Sequence, residues 1–99
     1  MKNLKKIIKN NTAKIAIFGM GYVGIPLART FTNAGFEVTG IDIDSSRVKT
    51  LKLGISPINH ITDIDIASML NNGFAATDDY SIIKKMDILI LCVPTPLSK

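Results

Sequence analysis

Gly19-Met20-Gly21-Tyr22-Val23-Gly24 spells G-x-G-x-x-G, and the residues around it give the pattern its meaning. Upstream, Lys14-Ile15-Ala16-Ile17-Phe18 is a short apolar run, the pattern of a strand buried on both faces. Downstream, Val23, Leu27, Phe31 and Ala34 recur at helical spacing until Gly35, which predicts a helix. Pro26 falls in its first turn, where donors have no intrahelical partner anyway. Residues 36–42 (FEVTGID) read as a second strand ending on Asp42, 18 residues beyond Gly24. Strand, glycine turn, helix, strand and terminal acid in that order make a dinucleotide-binding unit.

Each position has a physical reason. Gly19 lets the chain turn sharply off the strand. A side chain at Gly21 would stand where a pyrophosphate must approach the backbone, and Gly24 lets the helix pack closely on the sheet. The N–H groups near Tyr22 and Val23 then face an anion from the positive end of the helix. Asp42 selects the cofactor. Its carboxylate accepts hydrogen bonds from ribose hydroxyls, whereas a 2′-phosphate at ~4 Å would cost on the order of 4 kcal/mol per like-charge pair. NAD rather than NADP is therefore expected, with Arg47 along the ribose or adenine edge.

Outward from this unit, Asp44 or Ser45 caps a further helix carrying Val48 and Leu51, and Gly54 ends it. A helix over residues 62–72 follows, with Thr62 as its cap and Asp63 and Asp65 in its first turn. Residues 74–77 make a weak third strand and residues 81–85 a short helical crossover. Asp87-Ile88-Leu89-Ile90-Leu91-Cys92-Val93 is the most apolar strand, terminated by Pro94-Thr95-Pro96. The expected fold class is α/β: a Rossmann-type parallel sheet with helices on both faces, in the order 3-2-1-4. It reads as truncated after the fourth strand, which leaves the apolar run at residues 88–93 as a sticky edge. Residues 14–99 form the dinucleotide-binding domain. Residues 1–13 read as a basic arm or short amphipathic helix carrying Leu4, Ile7 and Ile8.

Composition narrows the partners. The net charge of +4 over 99 residues arises at the start, where residues 1–14 hold five lysines and no acid. The body from residue 15 onward carries seven basic and eight acidic groups, which argues against a nucleic-acid partner. The longest apolar run is six residues, against the ~18 that a membrane helix needs. A single cysteine, Cys92, makes no internal disulfide and no metal site, and a cytoplasmic location follows. Cys92 in an apolar strand is expected to be a buried core residue.

GMGYVGIPLA, GIDIDSSRV and LCVPTPL together resemble the N-terminal segment of the UDP-glucose/GDP-mannose dehydrogenase family, over nearly all of the chain from Lys14 onward. The resemblance implies oxidation of the C6 alcohol of a nucleotide-linked sugar to a carboxylate with two NAD, through a covalent adduct on a cysteine. It implies that Gly21, Tyr22 and Val23 receive the pyrophosphate within a cofactor-binding turn that Gly19 and Gly24 complete, that Asp42 and Arg47 flank the ribose, and that Thr95 lies near the nicotinamide. It also implies a dimer or larger homo-oligomer. The family's nucleophile belongs to a later segment, so no catalytic residue and no metal ligand is expected here, and the UDP-sugar concerns only the full-length parent. The stretch Pro57-Ile58-Asn59-His60 resembles relatives acting on UDP-N-acetylhexosamines, which suggests a UDP-N-acetylglucosamine 6-dehydrogenase; His60 itself reads as a solvent-facing loop residue. Two rival readings share the glycine loop: a nucleotide-sensing regulatory module and another NAD-dependent hydroxy-acid dehydrogenase.

Overall fold

The computed structural model describes residues 12–92. Four strands alternate with helices: β1 (Lys14–Phe18), α1 (Gly24–Asn33), β2 (Glu37–Ile41), α2 (Ser45–Lys52), α3 (Asp63–Asn71), β3 (Phe74–Thr77), a 3-10 helix (Tyr80–Lys85) and β4 (Ile88–Leu91). All pairings are parallel and the order is β3-β2-β1-β4, as expected from the alternation of strand and helix. The basic segment at residues 1–11 and the Pro94-Thr95-Pro96 terminator lie outside the described residues.

Strand alternation divides the sheet into two unlike faces. Ile15, Ile17, Val38, Phe74 and Ala76 join Ile25, Ala28, Val48, Leu51, Ile66 and Met69 in one core cluster, so α1, α2 and α3 share that face. The opposite face presents Ala16, Phe18 and Ile41, with the ring of Tyr80 from the 3-10 helix stacked on Phe18 at 5.3 Å. This handedness follows from right-handed crossovers: β1 to β2 to β3 moves one way across the sheet, and β3 to β4 reverses it.

The buried seam of α1 is Gly24, Ile25, Ala28 and Thr32, which corrects the stripe of Val23, Leu27, Phe31 and Ala34 expected from the sequence. Val23 is 65% exposed, whereas Leu27 and Phe31 only flank the core. Small Gly24 and Ala28 bring the helix backbone close to the strands, and that proximity turns the larger residues to the side. Thr32 tolerates burial because its hydroxyl donates to the Ala28 carbonyl at 2.7 Å.

A second correction concerns β4. It pairs with β1 alone among the described strands, and its side chains alternate between half-buried and exposed. Leu91 is 68% exposed and Cys92 half-buried, not sealed in the core. An edge strand has one neighbour to cover it, so apolar composition alone did not determine burial.

Candidate functional site

The site lies beyond the carboxyl ends of β1, β2 and β4, where a reversal of strand order opens a crevice. It is a cavity of about 970 Å³ lined by the whole turn from Phe18 to Val23, by Asp42, Ile43, Asp44 and Arg47, and by Leu91 and Cys92.

The turn begins at Gly19, whose φ of 107° is the left-handed backbone that only glycine adopts without strain. Its N–H donates to the Ile41 carbonyl at 2.7 Å, so the chain leaves β1 while still tied to the end of β2. Met20 then drops beneath the loop and is fully buried. Space for it exists because β2 carries Gly40: a Cβ there would lie 2.4 Å from the Met20 sulfur. A glycine inside a strand is the sequence sign of such an approach, a signal that the sequence reading did not use.

The other two motif glycines differ in kind. A Cβ at Gly24 would collide with the Gly19 carbonyl oxygen, so Gly24 is needed for the turn to close on itself. Packing on the sheet was the expected reason; contact with the turn's own first residue is the stronger one. At Gly21 a Cβ would meet nothing nearer than Arg47 Nη1 at 3.6 Å. The chain's own packing does not demand glycine there. Nor does any hydrogen bond within the described residues take up the N–H of Gly21, Tyr22 or Val23. Tyr22 and Val23 are 63% and 65% exposed, and helix α1 starts immediately behind them. Unpaired N–H groups at a helix start form a receptor for an anion.

Asp42 sits at the other flank, half-buried just past β2. One carboxylate oxygen accepts from the Met20 N–H at 2.8 Å and the other from the Asp44 N–H at 2.9 Å. Asp42 therefore locks the glycine turn to the start of α2, a role that sequence reading missed. A carboxylate offers about four lone-pair sites, so two remain for a ligand hydroxyl. Asp44 is the N-cap of α2, as anticipated, accepting from the Ser46 and Arg47 N–H groups. The Ser46 hydroxyl, followed by the Arg47 N–H, holds the Asp44 carboxyl below its ordinary value. Arg47 reaches back across the loop and donates from Nη1 to the Met20 carbonyl at 2.7 Å. The Met20 backbone is thus clamped on both sides, its N–H donating to Asp42 and its carbonyl accepting from Arg47.

Gly19, Gly21, Tyr22, Val23, Asp42 and Arg47 therefore line one cavity, with Gly24 directly behind it. Thr95 lies outside the described residues. Ile43, 73% exposed beside Asp42, and Leu91 on β4 are lining residues that the sequence did not single out. His60 is exposed, as expected, but is not isolated: its ring meets Tyr22 edge-on at 6.0 Å. Among the described residues no cluster of His, Cys, Asp or Glu could hold a metal, and no helix is long and apolar enough to cross a membrane.

Known proteins agree with this geometry. The NAD-binding domain of the UDP-glucose/GDP-mannose dehydrogenase family matches residues 13–99. Protein CapL of Staphylococcus aureus is 40% identical over 85 residues, which cover 86% of this chain and 19% of CapL. UDP-glucose 6-dehydrogenase TuaD of Bacillus subtilis is 37% identical, over 87% of this chain and 19% of its own length. The solved UDP-D-ManNAc dehydrogenase of Pyrococcus horikoshii superposes with a TM-score of 0.79 at 34% identity, covering 86% of this chain and 21% of that one. The chain spans about a fifth of the length of these relatives. The parallel sheet in the order 3-2-1-4 is thus shared with solved dehydrogenases of this kind, and the chain belongs to the UDP-glucose/GDP-mannose dehydrogenase family as its NAD-binding domain.

Proposed function

We propose that this chain is the cofactor-holding part of a nucleotide-sugar 6-dehydrogenase, which oxidises the C6 alcohol of a UDP-sugar to a carboxylate with two NAD in succession. The observation that carries the reading is Gly21: its Cβ position is open within the protein and faces a cavity edged by unpaired N–H groups. A dinucleotide fits that set of donors and acceptors. The N–H groups of Gly21, Tyr22 and Val23 receive the pyrophosphate, with Gly19 and Gly24 shaping the turn. Asp42 accepts from the adenosine ribose on its two remaining lone-pair sites, and Arg47 lies alongside. The nicotinamide end extends toward β4, with Thr95 beyond it.

NAD supplies the hydride acceptor when bound. The chain's own residues bind and orient it, and no group here is assigned to proton transfer or nucleophilic attack. Cys92 turns with Ile88 and Ile90 toward the packed side of the sheet and is not the nucleophile. Relatives named for UDP-glucose and for UDP-D-ManNAc support a UDP-sugar, and the His60-containing stretch favours a UDP-N-acetylhexosamine such as UDP-N-acetylglucosamine. Residues 14–99 carry the NAD-binding unit, preceded by a basic arm at residues 1–13, in a cytoplasmic homo-oligomer.

Calorimetric titration of the 99-residue chain with NAD and with NADP tests the site. NAD is expected to bind more tightly by about tenfold or more, since Asp42 repels a 2′-phosphate. Equal affinities would remove Asp42 from the ribose.

A further inference from the structure

Tyr22 and His60 are 38 positions apart, and their rings meet at the rim of the cavity. The segment that carries His60 is firmly held. Ile58 and Ile61, on either side of it, are 6% and 4% exposed and belong to the core cluster, which leaves His60 projecting between two anchors. Ser56 adds two local ties, from its hydroxyl to the Ile58 carbonyl at 2.8 Å and from its N–H to Asp63 Oδ1 at 2.8 Å. His60 is thus a fixed point beside the glycine turn. Tyr22 stands in the glycine turn between Gly21 and Gly24, and its own N–H has no partner among the described residues.

The turn is secured at its two ends. Asp42 and Arg47 clamp the Met20 backbone, and the Ile25 and Leu27 N–H groups bond to the Gly21 and Val23 carbonyls. The middle of the turn, where the anion is to be received, has the Tyr22–His60 edge contact. We propose that His60 is a positioning residue for the dinucleotide: its ring holds Tyr22, and with it the open N–H groups of residues 21–23, in the arrangement that accepts the pyrophosphate. The inference rests on the proposed placement of NAD in this cavity. Order established before binding removes part of the ordering cost from the binding step. An edge-on aromatic pair is strong enough to alter affinity by about three- to tenfold.

The test compares the 99-residue chain with its His60→Ala and His60→Phe variants, titrated with NAD, ADP-ribose and adenosine, alongside thermal melts. His60→Ala is expected to weaken NAD and ADP-ribose about three- to tenfold while leaving adenosine, which has no pyrophosphate, unchanged. His60→Phe keeps an aromatic edge against Tyr22 and is expected to restore the affinity. Melting temperature stays level across the three proteins, because His60 is exposed. Unchanged NAD affinity in His60→Ala, equal loss of adenosine binding, or failure of His60→Phe to restore affinity overturns the inference. Failure of the unsubstituted chain to bind NAD at all would instead overturn the proposed NAD site itself.

Discussion

Two glycines three residues apart in one motif, Gly21 and Gly24, answer to different demands. Gly24 serves the fold, since any Cβ there strikes the Gly19 carbonyl oxygen, a backbone atom that cannot move without opening the turn. Gly24→Ala is expected to destabilise the chain by about 3 kcal/mol, at the severe end of overpacking, as read by urea unfolding. Gly21 has room for a methyl group and its φ is not in the left-handed region, so Gly21→Ala should leave stability level or raise it by up to ~1 kcal/mol. Asp42 has a double role that the motif alone did not disclose. Its place after β2 was legible as the acid that follows a dinucleotide turn, but its bonds to the Met20 and Asp44 N–H groups depend on how the loops meet in space. Asp42→Ala leaves the part-buried Met20 N–H without its acceptor and the exposed Asp44 N–H to water, and is expected to cost about 1 kcal/mol in urea unfolding, in addition to its proposed effect on cofactor choice. Unchanged stability would mean that the two bonds are dispensable.

At the scale of elements, the starts of helices were the most readable features. Thr62 and Asp65 form a reciprocal capping box at α3 and Asp44 caps α2, as read from the sequence, whereas the Asp79 cap that accepts from the Ser81 N–H at the 3-10 helix was not read there. The carboxyls of Asp44, Asp65 and Asp79 are all held below the ordinary value of 3.8, chiefly by bonds from Ser46, Thr62 and Ser81 respectively. Because the folded values are depressed, the stability they confer is fully present above 3.8 and is lost as pH falls through the folded values. Thermal melts are therefore expected to fall below pH ~3.8 less steeply in an Asp44→Asn, Asp65→Asn, Asp79→Asn variant than in the parent sequence. Identical acid profiles would contradict the caps. The rotation of α1 was less legible. Periodicity identified the helix but placed its buried stripe on the wrong residues, because close approach at Gly24 and Ala28 decides which residues face the sheet, and that is a tertiary effect.

Over the whole molecule, sheet order and site location followed from the alternation of strand and helix, because right-handed crossovers leave few topologies open. What the sequence did not reveal depends on contacts between distant segments: the half-burial of Cys92 and the Tyr22–His60 contact. The second sheet face bears the marks of an associating surface. Leu89 and Leu91 are 42% and 68% exposed on a strand with one neighbour among the described strands, and Tyr80, stacked on Phe18, is 43% exposed. The average mass in sedimentation is expected to rise with concentration, and Leu89→Lys should suppress the rise by placing charge on the edge strand. A clean monomer at high concentration would count against this.

The central claim is that the turn at Gly19–Gly24 is built for a dinucleotide pyrophosphate and not merely for joining a strand to a helix. Calorimetric titration of NAD into the Gly21→Ala chain, with a melt to establish that it is folded, tests that most directly. The account predicts a melting temperature equal to or above that of the unsubstituted chain, with NAD affinity reduced about tenfold or more as the methyl group displaces the anion from its donors. A folded Gly21→Ala chain that binds NAD as tightly as the unsubstituted one would contradict it.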